Sequence, residues 1–293
     1  MRIVLLLTFL IGVVGVAFAH PGASIHVAKD GRVFFVDTGG GVFAVERDGK
    51  LVRQPGPAFH WFALDEASGL AKTPWPSIPG SEIDAVGMKP TVVLSSDFPV
   101  VVGRDGALYY PRPEGEKEWK LFRVAPSGER TVFATFPALK RSDGELRYVN
   151  GLAVDGAGAL YFTFDRSIHR IDAKGRVSTI ADNIVVPDCA RIPGTEAPSG
   201  PYLRGLAVAP NGTIFVAAAG CGAGLMVTPK GEAKPVLRAT PPYSPTAVAV
   251  ANGEVYVLEY LHTASDDRSE WLPRVRKITR EGKVETVVDG GTR

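Results

Sequence analysis

Short apolar stretches that alternate with polar positions recur along the chain, each folded about a glycine, and the same register returns several times. Three stretches align, the third one residue shorter before its glycine: Asn150-Gly-Leu-Ala-Val-Asp-Gly-Ala-Gly-Ala-Leu-Tyr-Phe-Thr, Arg204-Gly-Leu-Ala-Val-Ala-Pro-Asn-Gly-Thr-Ile-Phe-Val-Ala and Thr246-Ala-Val-Ala-Val-Ala-Asn-Gly-Glu-Val-Tyr-Val-Leu. Two further copies begin at Ile25 and Val100. Alternation with period two around a glycine predicts strand, tight turn, strand. The turn glycines are Gly31, Gly106, Gly158, Gly212 and Gly253, at intervals of 75, 52, 54 and 41 residues. The first interval is nearly double, and His60-Trp-Phe-Ala-Leu-Asp-Glu-Ala-Ser-Gly69 divides it into 38 and 37. A second hairpin signal follows in five of the units, at Asp48-Gly49, Ser127-Gly128, Lys174-Gly175, Lys230-Gly231 and Glu281-Gly282. Two hairpins per unit make four strands, and units of roughly 40 to 50 residues match the blade of a β-propeller. The pattern predicts an all-β chain, a six-bladed β-propeller with four antiparallel strands per blade, forming one domain over residues 20–293.

The first nineteen residues stand apart from this pattern. Arg2 precedes an apolar run from Ile3 to Val16 that ends at Ala17-Phe18-Ala19, the layout of a secretory signal with cleavage after Ala19. The run is shorter than the roughly 20 apolar residues of a membrane span. The expectation is a secreted or periplasmic protein that is not held in a membrane once the signal is cleaved. The two cysteines, Cys189 and Cys221, are then expected to pair, since an oxidising compartment favours a disulfide.

Composition narrows the picture further. Thirty-three glycines and 23 prolines in 293 residues exceed ordinary usage of roughly 7% and 5%, which disfavours long helices. Thirty-three basic against 31 acidic residues give a net charge of +2. Without a concentrated basic run to follow a phosphate backbone, nucleic acid is not an expected partner. A nucleophile elbow, zinc-binding cysteine cluster, phosphate loop or dinucleotide fingerprint is absent from the sequence.

Candidate chemistry gathers where the repeat breaks. In a propeller the innermost strands line a central channel, and alignment on the hairpin glycines sets His60 and Trp61, Asp97 and Phe98, Asn150, Arg204 and Thr246 at their starts. Second strands end at Asp37, Asp165 and Glu259, with His262 on the loop beyond. Polar groups from several blades thus converge on one rim, the expected design of a small-molecule or metal site. Four longer segments are expected to crowd that face: Trp75 to Met88, Ser142 to Val149, Val185 to Tyr202 and His262 to Leu272. Glu259 interrupts an apolar strand, and a buried carboxylate must be paired or bound. Arg204 is one expected partner for it. Turn capping is the alternative role for Asp37 and Asp165, and channel plugging the alternative for His60 and Trp61.

The Asn-Gly-Leu-Ala-Val-Asp and Arg-Gly-Leu-Ala-Val copies, with Gly-x-Leu-Tyr strands between, resemble the six-bladed propellers of the gluconolactonase and regucalcin family, and more loosely NHL-repeat propellers. The resemblance spans nearly the whole chain after residue 19. It implies a divalent metal, calcium or zinc, held by a Glu on the first inner strand, an Asn in Asn-Gly-Leu and an Asp in Asp-Gly. Asn150 matches the second of these. Arg204 stands at the third position, and Gly22, Ala23 and Ser24 occupy the first strand. Replacement ligands would be Glu259, Asp165 and Asp97 around Asn150. Three functions follow as expectations. One is a binding protein in which Arg204 grips a small anionic ligand while His60, Trp61, Phe98 and His262 line the site. The second is a metal-dependent lactone hydrolase using Asn150, with Asp97 or Glu259 activating water. The third is a protein-protein scaffold. Oligomeric state is left open by the sequence.

Overall fold

Hairpin after hairpin closes on a glycine in the left-handed region that other side chains avoid. Gly31, Gly106, Gly158, Gly212 and Gly253 turn the first hairpin of five units, and Gly49, Gly128, Gly175, Gly231 and Gly282 the second, all with φ between 75 and 90°. The computed structural model describes residues 24–37, 41–54, 61–65, 70–72, 92–95, 99–138, 148–189, 200–261 and 270–290. Of residues 37, 61–65, 70–72, 93 and 95 it describes the backbone alone.

Five of the units are four-stranded antiparallel sheets. They comprise β1 (Ile25–Val27), β2 (Val33–Asp37), β3 (Gly41–Val45) and β4 (Leu51–Arg53); then β8 (Val101–Val102), β9 (Leu108–Glu114), β10 (Glu118–Val124) and β11 (Arg130–Pro137). Next come β12 (Val149–Val154), β13 (Leu160–Phe164), β14 (Ser167–Ile171) and β15 (Val177–Ala181), followed by β16 (Leu203–Val208), β17 (Ile214–Ala218), β18 (Ala223–Val227) and β19 (Ala233–Arg238). The last sheet holds β20 (Tyr243–Ala251), β21 (Glu254–Leu261), β22 (Pro273–Ile278) and β23 (Val284–Asp289). In each, consecutive strands pair as a meander.

The second unit departs from the expected blade. Strands β5 (Trp61–Asp65), β6 (Leu70–Lys72) and β7 (Val92–Ser95) form a three-stranded sheet in the order β6-β5-β7. The strand that starts at Trp61 is therefore a middle strand, and β7 is the one that meets β1, β2 and β8. The cause is packing: Leu94 on β7 is 1% exposed and completes an apolar cluster with Phe34, Val36, Val42 and Ala44. Strands β20, β1, β7, β8, β12 and β16 touch their neighbours in that order, and β16 returns to β20.

The core lies between sheets rather than within one central mass. Phe136 stacks on Phe162 of the next sheet with ring centroids 4.6 Å apart, in a cluster with Trp119, Leu121 and Phe164. Tyr161 and Ile168 pack with Val216 and Leu225, Ala217 and Leu237 with Val248 and Val257, and Phe35 and Phe43 with Leu258, Tyr260 and Val275. Each large apolar side chain buried this way contributes about 1.5–3 kcal/mol, so every sheet depends on its neighbours.

A polar device repeats at the first hairpins. Asp105 accepts from the Ala107 N–H at 3.1 Å, from the Tyr109 hydroxyl at 3.1 Å and from Arg123 Nη2 at 2.7 Å. Asp155 likewise accepts from the Ala157 N–H at 2.8 Å and the Tyr161 hydroxyl at 3.2 Å, while Arg170 Nε donates to that hydroxyl at 3.2 Å. One carboxylate thus ties a turn to the second and third strands of its sheet.

His169 on β14 stacks on Phe162 at 4.9 Å. Burial lowers its pKa from the ordinary 6.5, with Asp182 opposing. The unfolded chain then takes up this proton first, so the stabilising contribution is whole above about pH 6.5 and is lost as pH falls below it. His169→Leu is expected to flatten the decline in melting temperature between neutrality and pH 5; an unchanged decline would remove His169 as its source.

Candidate functional site

Strands β12, β16 and β20 lie side by side and carry equivalent stretches, Val-Asn-Gly-Leu-Ala-Val and Leu-Arg-Gly-Leu-Ala-Val at the starts of β12 and β16 and Pro-Thr-Ala-Val-Ala-Val from Pro245 of β20. In each the pairing register slips near the first polar repeat position: between Val149 and Gly151, between Leu203 and Leu206, and between Pro245 and Ala247. A bulge leaves one residue unopposed and re-aims its side chain. Asn150, Arg204 and Thr246 all fall inside these slips, so one local device acts on three adjacent strands.

The strands approach closely there. A Cβ on Gly151 would stand 2.3 Å from the Arg204 carbonyl oxygen, which leaves hydrogen as the only side chain that fits. That carbonyl accepts from Thr163 Oγ1 at 2.9 Å. Asn150 Nδ2 donates to the Leu203 carbonyl at 3.1 Å, and the Tyr202 hydroxyl donates to Asn150 Oδ1 at 3.4 Å. Arg204 is 9% exposed. Burial pushes its pKa below the ordinary arginine value, while the nearby Tyr202 and Tyr260 hydroxyls favour the charged form. Arginine keeps its charge through shifts of this kind, so a buried cation stands near the Tyr202 and Tyr260 phenols, while fully buried Thr246 donates to the Leu258 carbonyl at 3.5 Å.

Glu259 is placed differently from expectation. It is fully buried on β21, and both carboxylate oxygens are engaged by the neighbouring strand β22. Arg274 Nη2 lies 2.6 Å from Oε2 and Arg276 Nη2 lies 2.9 Å from Oε1. Its cations are these two arginines and not Arg204. Arg276 also donates to the Arg238 carbonyl on β19 at 2.7 Å, and the Arg274 guanidinium sits 3.6 Å from the Tyr243 ring centre. A carboxylate held by two guanidiniums is poorly placed to take a proton from water or to ligate a metal. The arrangement ties the last sheet to the one before it.

Asp165 is a turn residue with φ 57°, and its carbonyl accepts from the Leu203 N–H at 2.9 Å. Trp61 is described only as the first backbone position of β5. His60, Asp97, Phe98 and His262 lie outside the described residues, as do residues 1–19. Among the described residues no group of three or more His, Cys, Asp or Glu gathers as a metal would require. At the positions that the resemblance assigns to a metal, the described residues offer Asn150, whose Oδ1 already accepts from Tyr202, and the cation Arg204. They do not fit a divalent ion.

Cys189 and Cys221 are bonded to one another. Sequence reasoning missed Tyr202, Arg274 and Arg276. The alternating Arg-Val-Arg of β22 next to a strand interrupted by Glu259 was the available signal for the last two; Tyr202 carried none.

No protein-family profile matches the chain, and no curated protein matches it in sequence. In structure it shares the SMP-30/gluconolactonase-like propeller fold. The solved structure of a protein named as a putative gluconolactonase is 17% identical, with a TM-score of 0.51 over 82% of this chain and 84% of that one. Virginiamycin B lyase from Staphylococcus aureus gives 15%, 0.50, 91% and 83%. A luciferin-regenerating enzyme gives 15%, 0.50, 88% and 92%. At these identities the likeness is one of fold.

Proposed function

We propose that this chain is an exported six-bladed β-propeller, with β5–β7 as its degenerate second blade, that binds a small anionic molecule at the channel mouth. The observation that carries the reading is the slip in register at Asn150, Arg204 and Thr246 on three adjacent strands, which coincides with a buried arginine. Arg204 supplies the cation, the group matched to a carboxylate or phosphate, while the Asn150 amide and the Tyr202 hydroxyl, already bonded to each other, hold the backbone at Leu203. Export is supported by the leader-like residues 1–19 and by a disulfide, which fits an oxidising compartment.

The test is a thermal-shift panel of small carboxylates, phosphates and sugar lactones on the protein and on Arg204→Met, which keeps the aliphatic bulk. An anion present at about 100 times its Kd adds about 2.7 kcal/mol. For a chain of this size that raises the melting temperature by roughly 5–10 °C. The shift should vanish in Arg204→Met. Absence of any shift, or its persistence in the variant, would overturn the reading, and turnover of a lactone would replace binding by hydrolysis.

A further inference from the structure

We infer that the Cys189–Cys221 disulfide is a redox-sensitive clamp on the channel mouth, whose reduction loosens the backbone that presents Tyr202 and Leu203 to Asn150. The bond links residues 32 apart in sequence. Cys221 ends a short 3-10 turn, Ala219–Cys221, that reaches directly to the start of β16. The Ala219 N–H donates to the Tyr202 carbonyl at 3.1 Å and the Gly220 N–H to the Pro201 carbonyl at 2.9 Å. The backbones abut so closely that a Cβ on Gly220 would stand 2.2 Å from the Gly200 carbonyl oxygen. From β20, Ser244 Oγ donates to the Ala219 carbonyl at 2.8 Å. The turn is therefore a joint between the starts of two of the three bulged strands, and the disulfide fastens it to the segment that precedes β16.

What this joint holds is strained and lies at the site. Tyr202 has φ 40°, a left-handed conformation that a tyrosine keeps only while its surroundings impose it. Both hydrogen bonds of the Asn150 amide end on Tyr202 and Leu203, so any relaxation there passes to the mouth. The bond is also within reach of a reductant, because Cys189 is exposed whereas Cys221 is buried. Reduction breaks the one Sγ–Sγ bond. Two electrons and two protons come from a dithiol such as dithiothreitol, which closes its own disulfide, and both cysteines are left as thiols. The effect on ligand binding rests on the reading given under Proposed function; the effect on the backbone does not.

Hydrogen exchange on the ligand-free protein tests the clamp. In Cys189→Ser/Cys221→Ser, peptides covering residues 200–206 and 217–222 should exchange at least about tenfold faster than in the oxidised protein, as local opening predicts. Peptides from β13 and β14 should be unchanged. If the double variant does not fold, the same peptides are read in folded wild-type protein after dithiothreitol, with alkylation to verify reduction. Unchanged exchange in the two peptides would overturn the clamp. So would acceleration of equal size throughout the chain, which would mark a disulfide that only stabilises the fold as a whole. Neither result depends on whether an anion binds, so failure here and failure of the anion-panel test remain distinct.

Discussion

Glu259→Ala is expected to be among the most destabilising single substitutions in the chain, costing about 3–5 kcal/mol. The carboxylate is the hub of a triad whose two arginine side chains are only 13% and 14% exposed. Removing it leaves two like charges facing each other at low exposure, and hydration compensates them poorly. Removing one arginine is less severe, because Glu259 keeps the other as a partner. The ordering is the test: in urea unfolding, Glu259→Ala should lose more stability than either Arg274→Ala or Arg276→Ala. Glu259→Gln should fall close to Glu259→Ala, since an amide keeps the shape and one acceptor but not the charge. Replacing all three residues by apolar ones of similar volume should restore much of the loss, as buried ion pairs often exchange neutrally with packed hydrophobes. A Glu259→Ala cost below about 1 kcal/mol, the size of an exposed pair, would mean that water reaches the triad.

That triad also shows where sequence reasoning stops. A carboxylate in the apolar run of β21 demanded a cation, and this was legible at Glu259 alone. Which cation was not legible, because cross-strand partners depend on the β21–β22 register, which pairs Glu259 with Arg274. The hairpin glycines were legible for the opposite reason: a left-handed turn restricts residue type directly, so Gly31 or Gly158 declares its conformation without knowing its neighbours. The strand at Trp61 was legible as a strand. Alternation names a strand but not what lies beside it, and β5 turned out to pair on both sides. On β12, β16 and β20, Asn150, Arg204 and Thr246 could be aligned, yet the slips in register at them have no residue signature beyond polarity. The 3-10 turn that braces Tyr202 depends on a contact between segments far apart in sequence, Gly200 to Tyr202 and Ala219 to Gly220, and no local pattern encodes it.

Glycine at the second hairpin of each unit looks like one requirement repeated, but its cost on substitution should divide into two classes. Gly49, Gly175, Gly231 and Gly282 have φ between 75 and 88°, so alanine at any of them carries the same left-handed penalty of about 1–2 kcal/mol. Around Gly49 and Gly282 a Cβ would meet nothing within 4 Å, and the penalty ends there. At Gly175 the Cβ would lie 2.2 Å from the Phe133 carbonyl oxygen, and at Gly231 2.3 Å from that of Ile180. Phe133 is on β11 and Ile180 on β15, each the last strand of the preceding sheet. The second hairpin of one sheet therefore rests on the outer strand of the one before, backbone against backbone. Neither partner is a flexible side chain that can swing aside, so Gly175→Ala and Gly231→Ala should lose a further 1–3 kcal/mol, on the order of other overpacking changes. Measured by denaturant unfolding, the four variants should separate into a mild and a severe pair. Equal costs would show that the hairpins do not bear on neighbouring sheets, and that left-handed turns alone explain the glycines. The severe pair tests how sheet spacing is set, because at these two contacts the distance between neighbours is limited by a backbone carbonyl meeting a residue without a side chain.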